Sequence, residues 1–379
     1  MLAIPSAALL ALVPAGAVLS ETRPAFASLA TVTVASADAA GARAGIEAAF
    51  AHLDRVDWAM NEWRAGSPLA RLNGTAGRWV PIPADLCRLL RVAKDGAERT
   101  GGLFDPTWAA VSDLWRFDGS GTVPPAALLR ARCPLVDHRG LELRSPPGGA
   151  CEARLARPGM RVGLGGIAKG WALDSAARAL RGLGLRDFLL QAGGDLYAAG
   201  SRLGEPWPIA IRDPSGPGAP LGTLLVSDRA LSTTGDYEHA FESGGRRYHH
   251  VIDPRTCQPA PASRSVTVLA RTAVDAEIVG KAAFVAGGGE ALAIARSFGA
   301  EAVVVAASGE VLATPGIPPP LAPVSREGPP PHGGAGPPSR GPVPGTPRRR
   351  RHRLGAPPPR ARPRPRAPPG SSRTRSPPR

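Results

Sequence analysis

The chain has 379 residues and a formal net charge of +15, which spread evenly would indicate a polyanion-binding protein. From Ile317 onward, however, the sequence holds 14 Arg and one acid, Glu327, so the tail carries +13 of the +15 and leaves +2 for residues 1–316. The charge therefore describes a Pro- and Arg-rich tail, and the body gives no electrostatic case for specific nucleic-acid recognition.

Residues 317–379 are too poor in apolar side chains to offset their ordering entropy and are expected to be disordered. At the other end, residues 1–19 form an apolar leader-like run with Ala15-Gly16-Ala17 as a small-residue cleavage pattern, although no Lys or Arg stands near Met1. Pro5, Pro14 and the shortness of the run argue against a spanning helix, so export is expected. Four cysteines, Cys87, Cys133, Cys151 and Cys257, lack the C-x-x-C spacing of a zinc site. In an oxidising compartment Cys133 and Cys151 could pair across a loop, with free or buried thiols as the alternative.

Along the body, residues 31–35 alternate as a strand, and residues 40–60 read as a helix burying Ile46, Ala49, Phe50, Leu53 and Val56. Trp63 beside Arg64 offers a stacking wall for a flat ring, or else a core or surface tryptophan. Residues 67–73 make a short capped turn. A helix over 84–100 leads to Gly101-Gly102, a tight turn that presents Phe104 and Asp105. Residues 118–158 are looser, with room for short strands.

Residues 162–200 read as strand, glycine turn, helix, strand, glycine turn. The helix buries Leu173, Ala176, Ala177 and Leu180 and pairs Asp174 with Arg178 on its wet face. Glycines crowd its start, where backbone N–H groups can meet a phosphate, but the spacing is not that of a dinucleotide-binding fingerprint. Gly193-Gly194-Asp195 follows the second strand at its C-terminal end, where open α/β sheets hold ligands. Beyond it come strands at 207–212 and 222–226, a hydroxyl-rich turn at 232–237, the turn His250-Val251-Ile252-Asp253-Pro254, a strand at 265–270, a helix at 274–286 and a closing hairpin around Ser308-Gly309.

Five of these stretches, in this order, resemble the ApbE family of FAD:protein FMN transferases. They are Met60-Asn61-Glu62-Trp63 with residues 67–73; Gly101-Gly102-Leu103-Phe104-Asp105-Pro106; residues 164–174 with Gly193-Gly194-Asp195; residues 232–237 with the His250 turn; and Ser265-Val266-Thr267-Val268 with the following helix. The resemblance implies an α+β, T-fold-like single unit of two lobes over residues 20–316. It further implies binding of FAD and, with Mg²⁺, transfer of the FMN half to a Thr or Ser of an exported acceptor protein with release of AMP, in the periplasm or on the outer face of the inner membrane. Phe26, Trp63, Leu103, Phe104, Asp105, Gly165, Lys169, Trp171 and Val251 would hold the nucleotide. His250 would be the general base, suited by an ordinary pKa of ~6.5; a turn histidine bonded to Asp253 is the alternative role.

The resemblance places metal ligands at Gly166, Glu277 and Lys281. Where the family tends to have Asp and Thr one helical turn apart, this chain has Glu277 and Lys281, with Asp275 as the only rival for the acid in a register that shortens the match to Gly287 by two residues; an ammonium has no acceptor to offer a cation. Gly163 replaces a common Asp, Cys257 replaces a common Gly, and Phe26-Ala27-Ser28 stands for Met-Gly-Thr. These departures leave a catalytically impaired FAD-binding protein as the alternative function.

Overall fold

Asp38 starts the first helix by accepting from the N–H groups of Ala40 and Gly41, donors that a helix start leaves unpaired. That helix, α1 (Ala39–Ala59), buries the expected stripe of Ile46, Ala49, Phe50, Leu53 and Val56. The structure is a computed structural model and describes residues 16–117, 121–216, 218 and 220–318. The remaining helices are α2 (Pro68–Asn73), α3 (Ala84–Arg99), α4 (Ala126–Arg132), α5 (Ala168–Gly182), α6 (Ala273–Ala286) and α7 (Gly288–Ser297).

Eight strands form one antiparallel sheet in which spatial order equals chain order. They are β1 (Ala17–Ala25), β2 (Ser28–Ser36), β3 (Phe188–Ala192), β4 (Asp195–Ala199), β5 (Arg229–Gly235), β6 (Ser263–Ala270), β7 (Glu301–Ala306) and β8 (Val311–Ala313). Both faces are covered, and the two-residue period of a strand divides the side chains between them. Tyr197 and Ala199 of β4 join the core under the helices, while Leu196 and Ala198 meet a hairpin made by Trp207–Ile211 and Gly222–Val226. On β7, Ala302 and Val304 face the helices and Val303 and Val305 the hairpin. Apolar runs without alternation are the sequence's record of a sheet buried on two sides.

The mixed helix-and-sheet fold agrees with the α+β expectation, but several local readings are corrected. Val162 lies in no strand; the Asn73 side chain accepts from its N–H and donates to its C=O, both at 2.8 Å, replacing a neighbouring strand's hydrogen bonds. Asp174 is not on a wet face. It is buried and accepts from the N–H groups of Ala273 and Val274 at 2.9 and 3.1 Å, capping α6. The turn Gly193-Gly194 joins β3 to β4 as an antiparallel hairpin rather than ending a parallel strand. Residues 118–158 contain α4 and the strands Leu141–Arg144 and Glu152–Leu155, which join Val80–Pro81 in a small sheet.

Ala17, Val18 and Leu19, counted with the leader, are paired in β1, and Ile317 packs in the core beneath the Trp207 hairpin. The rest of the leader through Ala15, and the tail from residue 319, lie outside the described residues.

All four cysteines are paired, but not as Cys133 with Cys151. The bonds are Cys87–Cys151 and Cys133–Cys257. Pairing of Glu152–Leu155 with Val80–Pro81, and the Ile82 N–H on the Cys151 carbonyl at 2.9 Å, bring Cys151 to the start of α3, where Cys87 stands. Cys133, at the end of α4, joins Trp115, Leu129 and Ile252 in an apolar cluster around Cys257. We expect the double substitution Cys133→Ser/Cys257→Ser to lower the unfolding free energy by about 2–4 kcal/mol in chemical denaturation, with no further loss on adding reductant beyond that from Cys87–Cys151.

Candidate active site

The glycine turn before α5, the β3–β4 hairpin turn and the start of α6 converge on four charged side chains. Lys169, in the first turn of α5, donates to Asp195 at the start of β4, and Asp195 also accepts from the Ser232 hydroxyl of β5. Glu277 of α6 is fully buried and accepts from the Gly170 N–H through Oε2 at 2.6 Å. Its other oxygen, Oε1, has no hydrogen-bond partner among the described residues and lies 4.0 Å from Lys169 Nζ and 3.9 Å from Lys281 Nζ.

Electrostatics follow from that geometry. Burial opposes the Lys169 charge, but Asp195 and Glu277 more than compensate and hold its pKa above the ordinary lysine range. Burial would push Asp195 up, yet Lys169, Lys281 and the hydrogen bonds from Lys169 and Ser232 keep it below the usual carboxylate value. Glu277 lacks such compensation: burial first, then the Asp195 charge, raise it well above the glutamate range against both lysines.

The sequence-predicted residues are brought together to different degrees. Gly165 is exposed, and a Cβ placed on Gly166 would lie 3.6 Å from Lys281 Cε and 4.0 Å from Phe104 Cε2, so α6 and the Phe104 turn both border the glycine turn. Phe26 occupies the β1–β2 turn; Ser28 Oγ, at the start of β2, and Lys169 Nζ would each lie 3.7 Å from a Cβ on Gly193. Trp63 presents its ring, 66% exposed, with the Arg161 guanidinium 5.6 Å from its centre. Trp171 is half-buried, and its indole N–H has no partner among the described residues. Leu103, Phe104 and Val251 are buried.

Asp105 is buried too, and its carboxylate is occupied: Oδ1 accepts from the Thr107 N–H and hydroxyl, and Oδ2 from the His138 N–H with the His138 ring 3.0 Å away. The glycine pair ahead of it turns the chain inward, so Phe104 and Asp105 are not presented outward.

His250 follows the strand Arg246–His249, its N–H bonded to the His239 carbonyl at 3.0 Å and its ring edge-on to His239. It is not bonded to Asp253, whose carboxylate takes the Arg255 N–H and guanidinium. Its Nδ1 is buried without a partner among the described residues. Burial, then the neighbouring His239, His249 and Lys281, lower its pKa from 6.5 to about 3, so the ring is neutral across the physiological range rather than poised near neutrality.

Sequence reasoning missed Glu62. Its Oε1 would lie 2.9 Å from a Cβ on Gly163, so a neighbouring acid fills the space that a side chain at 163 would take. Burial raises the Glu62 pKa. The visible signal was Gly163 itself, a missing acid in an otherwise matching turn. Ser232 and Thr234, the latter with a buried unpartnered hydroxyl, also face this region; a Cβ on Gly280 of α6 would come within 3.1 Å of Thr234 Oγ1 and 3.8 Å of Ser232 Oγ.

The residues present do not fit the Mg²⁺ that the resemblance implies. Of the anionic oxygens in the cluster, only Glu277 Oε1 is unclaimed, and two ammoniums already stand about it at 3.9 and 4.0 Å. Lys281 brings donors and no acceptor where a ligand is needed. Among the described residues no group of three or more His, Cys, Asp or Glu could hold a metal ion.

The ApbE family model matches residues 26–304, spanning this whole cluster. The chain belongs to the ApbE family. The FAD:protein FMN transferase of Treponema pallidum (strain Nichols) is 36% identical over 299 residues, covering 74% of this chain and 82% of the relative. That of Rhodobacter capsulatus is 33% identical over 307 residues, covering 78% of this chain and 57% of the relative. Among solved structures, the ApbE protein of Thermotoga maritima aligns with a TM-score of 0.74 at 27% identity, covering 79% of this chain and 97% of that one. The apo flavinyl transferase ApbE of Pseudomonas stutzeri gives 0.70 at 28% identity, covering 79% and 95%.

Within this ApbE chain the lowered His250 pKa has a measurable consequence. Between about pH 3 and 6.5 the unfolded chain binds a proton at this ring that the folded chain refuses, so stability falls as pH falls through that window. His250→Asn is expected to flatten the dependence of unfolding free energy on pH there by up to ~1.4 kcal/mol per pH unit, read by denaturant titration at several pH values. An unchanged slope would place the ring in water.

Proposed function

We propose that this protein is an FAD:protein FMN transferase, with FAD as its substrate and a Thr or Ser hydroxyl of an exported acceptor protein as the receiving group. The observation that carries the reading is a neutral His250 with an unpaired buried nitrogen, near enough to feel the charge of Lys281, whose own side chain borders the glycine turn ahead of Lys169. The acceptor hydroxyl gives its proton to His250, and its oxygen bonds to the phosphorus of the FMN half. The bond from that phosphorus to the bridging oxygen breaks, and AMP leaves with the oxygen and a proton. Lys169 and the glycine-turn backbone meet charge on the diphosphate, the task of preorganised donors in such transfers. Trp63 with Arg161 suits the face of a flavin ring.

A flavin-binding protein without turnover is favoured by one observation, the ammonium of Lys281 beside Glu277 in place of a metal ligand. Incubation of the protein with FAD and a Thr-bearing acceptor domain separates the two. We expect a covalently fluorescent acceptor and stoichiometric AMP, with His250→Ala lowering transfer by ~10²-fold or more while FAD affinity is nearly kept. FAD binding without AMP under any condition would assign the carrier role.

Export is supported by the leader-like start and by two disulfides, which persist in oxidising compartments. Among the described residues no helix is long and apolar enough to cross a membrane. Cell fractionation is expected to recover the protein with both disulfides formed in the periplasm or on the outer face of the inner membrane. Recovery from the cytosol alone, with free thiols, would contradict this.

A further inference from the structure

We propose that Lys281 takes the place of a divalent cation in this chain, so that its ammonium, with that of Lys169, holds the diphosphate of FAD without Mg²⁺. The inference rests on the transferase reading for the identity of the nucleotide, but it concerns binding and stands or falls separately from turnover.

Three observations carry it. Lys281 reaches the glycine turn from α6, its Cε 3.6 Å from the position of a Cβ on Gly166, while Lys169 approaches from α5. Two ammoniums on two helices therefore flank the backbone on which a phosphate would rest. Next, Lys281 Nζ has no hydrogen-bond partner among the described residues; its nearest anion, Glu277 Oε1, is 3.9 Å away, beyond hydrogen-bond reach. With the side chain only 24% exposed, a partly buried lysine whose ammonium has donors to spare is prepared for an anion. Finally, the one unclaimed carboxylate oxygen of the Lys169–Asp195–Glu277–Lys281 cluster is Glu277 Oε1, and both lysines crowd it. A dication bound there would face two like charges at short range. An anion lying across the two ammoniums would instead meet attraction from both, and Glu277 would keep them in position before it arrives.

The test is FAD binding, followed by flavin fluorescence, in metal-free buffer with chelator and again with Mg²⁺. It uses the wild-type protein, Lys281→Thr and Lys281→Arg, each checked for an unchanged thermal midpoint. Wild-type affinity is expected to change less than ~3-fold between chelator and Mg²⁺, on the view that a fixed ammonium supplies the charge a metal would. Lys281→Thr should lose at least ~10-fold in chelator, the scale of one charge-assisted hydrogen bond, and Lys281→Arg should retain binding. Riboflavin, which has no phosphate, should bind all three proteins alike.

Recovery of Lys281→Thr by Mg²⁺ would further support exchange of ammonium for cation. Collapse of wild-type binding in chelator overturns the proposal. So does metal-free binding by Lys281→Thr equal to wild type, equal loss in Lys281→Arg and Lys281→Thr, or an equal loss for riboflavin. Failure of the transferase reading looks different: metal-independent FAD binding that depends on Lys281, with no AMP released on addition of acceptor.

Discussion

The closest approach of α5 to α6 is set by residue 170. A Cβ there would stand 2.6 Å from the carbonyl of Ala273 and 2.7 Å from Glu277 Oε2, distances that no side chain tolerates, so glycine is required. With the side chain absent, the helices exchange buried hydrogen bonds in both directions. Glu277 of α6 accepts from the Gly170 N–H, and Asp174 of α5 accepts from the first N–H groups of α6. Each carboxylate takes orphan donors at the partner helix's start, and each is held at a cost: burial raises Asp174 to about 6 and Glu277 well above its ordinary range. The helix starts that border the candidate site are thereby fixed by the contact that buries Glu277.

The His250 loop is fixed by other means. Cys257 has φ of 57°, a left-handed backbone that costs a non-glycine residue on the order of 1–2 kcal/mol. It is tied there by the bond to Cys133, and its carbonyl accepts from the Trp115 indole at 3.1 Å. The His249 ring is 2.9 Å from the Ala260 carbonyl, and Ile252–Asp253 pairs with Gln258–Pro259. A loop closed at so many points holds the His250 ring where solvent cannot charge it. A neutral ring of low basicity abstracts a proton only if the product charge is stabilised as it forms. In the proposed transfer that stabilisation would come from the substrate's own phosphates, because the neighbouring protein charge, Lys281, is of the same sign.

What could be read from the sequence divides along the range of the interaction involved. The stripe of α1, the cap of α2 by the Ser67 hydroxyl, which accepts from the Ala70 N–H at 3.0 Å, the β7–β8 hairpin and the apolar side of α5 are set by residues a few positions apart, and local pattern exposed them. Asp174 was misread because its i,i+4 neighbour Arg178 offered a local partner, while its actual partners, the Ala273 and Val274 N–H groups, lie 99 and 100 residues away. The cysteine pairing failed for the same reason: Cys133 and Cys151 are near in sequence, whereas the bonded pairs are 64 and 124 residues apart. In the site, the family resemblance pointed to Lys169, Glu277 and Lys281, which the structure brings into one charged cluster, and to His250, which lies near enough to Lys281 to feel its charge. The protonation state of His250, the internal use of the Asp105 carboxylate and the approach of Glu62 to Gly163 depend on burial and close packing, which one sequence does not encode locally.

The departure at 277 and the departure at 281 make physical sense as a pair. A glutamate at 277 spans to the Gly170 N–H with one oxygen and leaves the other directed at the lysine one turn later on its own helix. The site then contains two carboxylates and two ammoniums, paired across distances that differ in kind. Lys169 is hydrogen-bonded to Asp195, but Lys281 is held to Glu277 by charge alone at 3.9 Å. An incoming diphosphate that engages Lys281 therefore breaks no hydrogen bond within the protein. It faces the opposing fields of Glu277 and Asp195; the raised pKa of Glu277 favours its neutral form, and Asp195 is already balanced by its hydrogen bond from Lys169. Charge that is in place beforehand and free of an internal hydrogen bond needs little reorganisation when the nucleotide binds, which is the condition for electrostatic preorganisation.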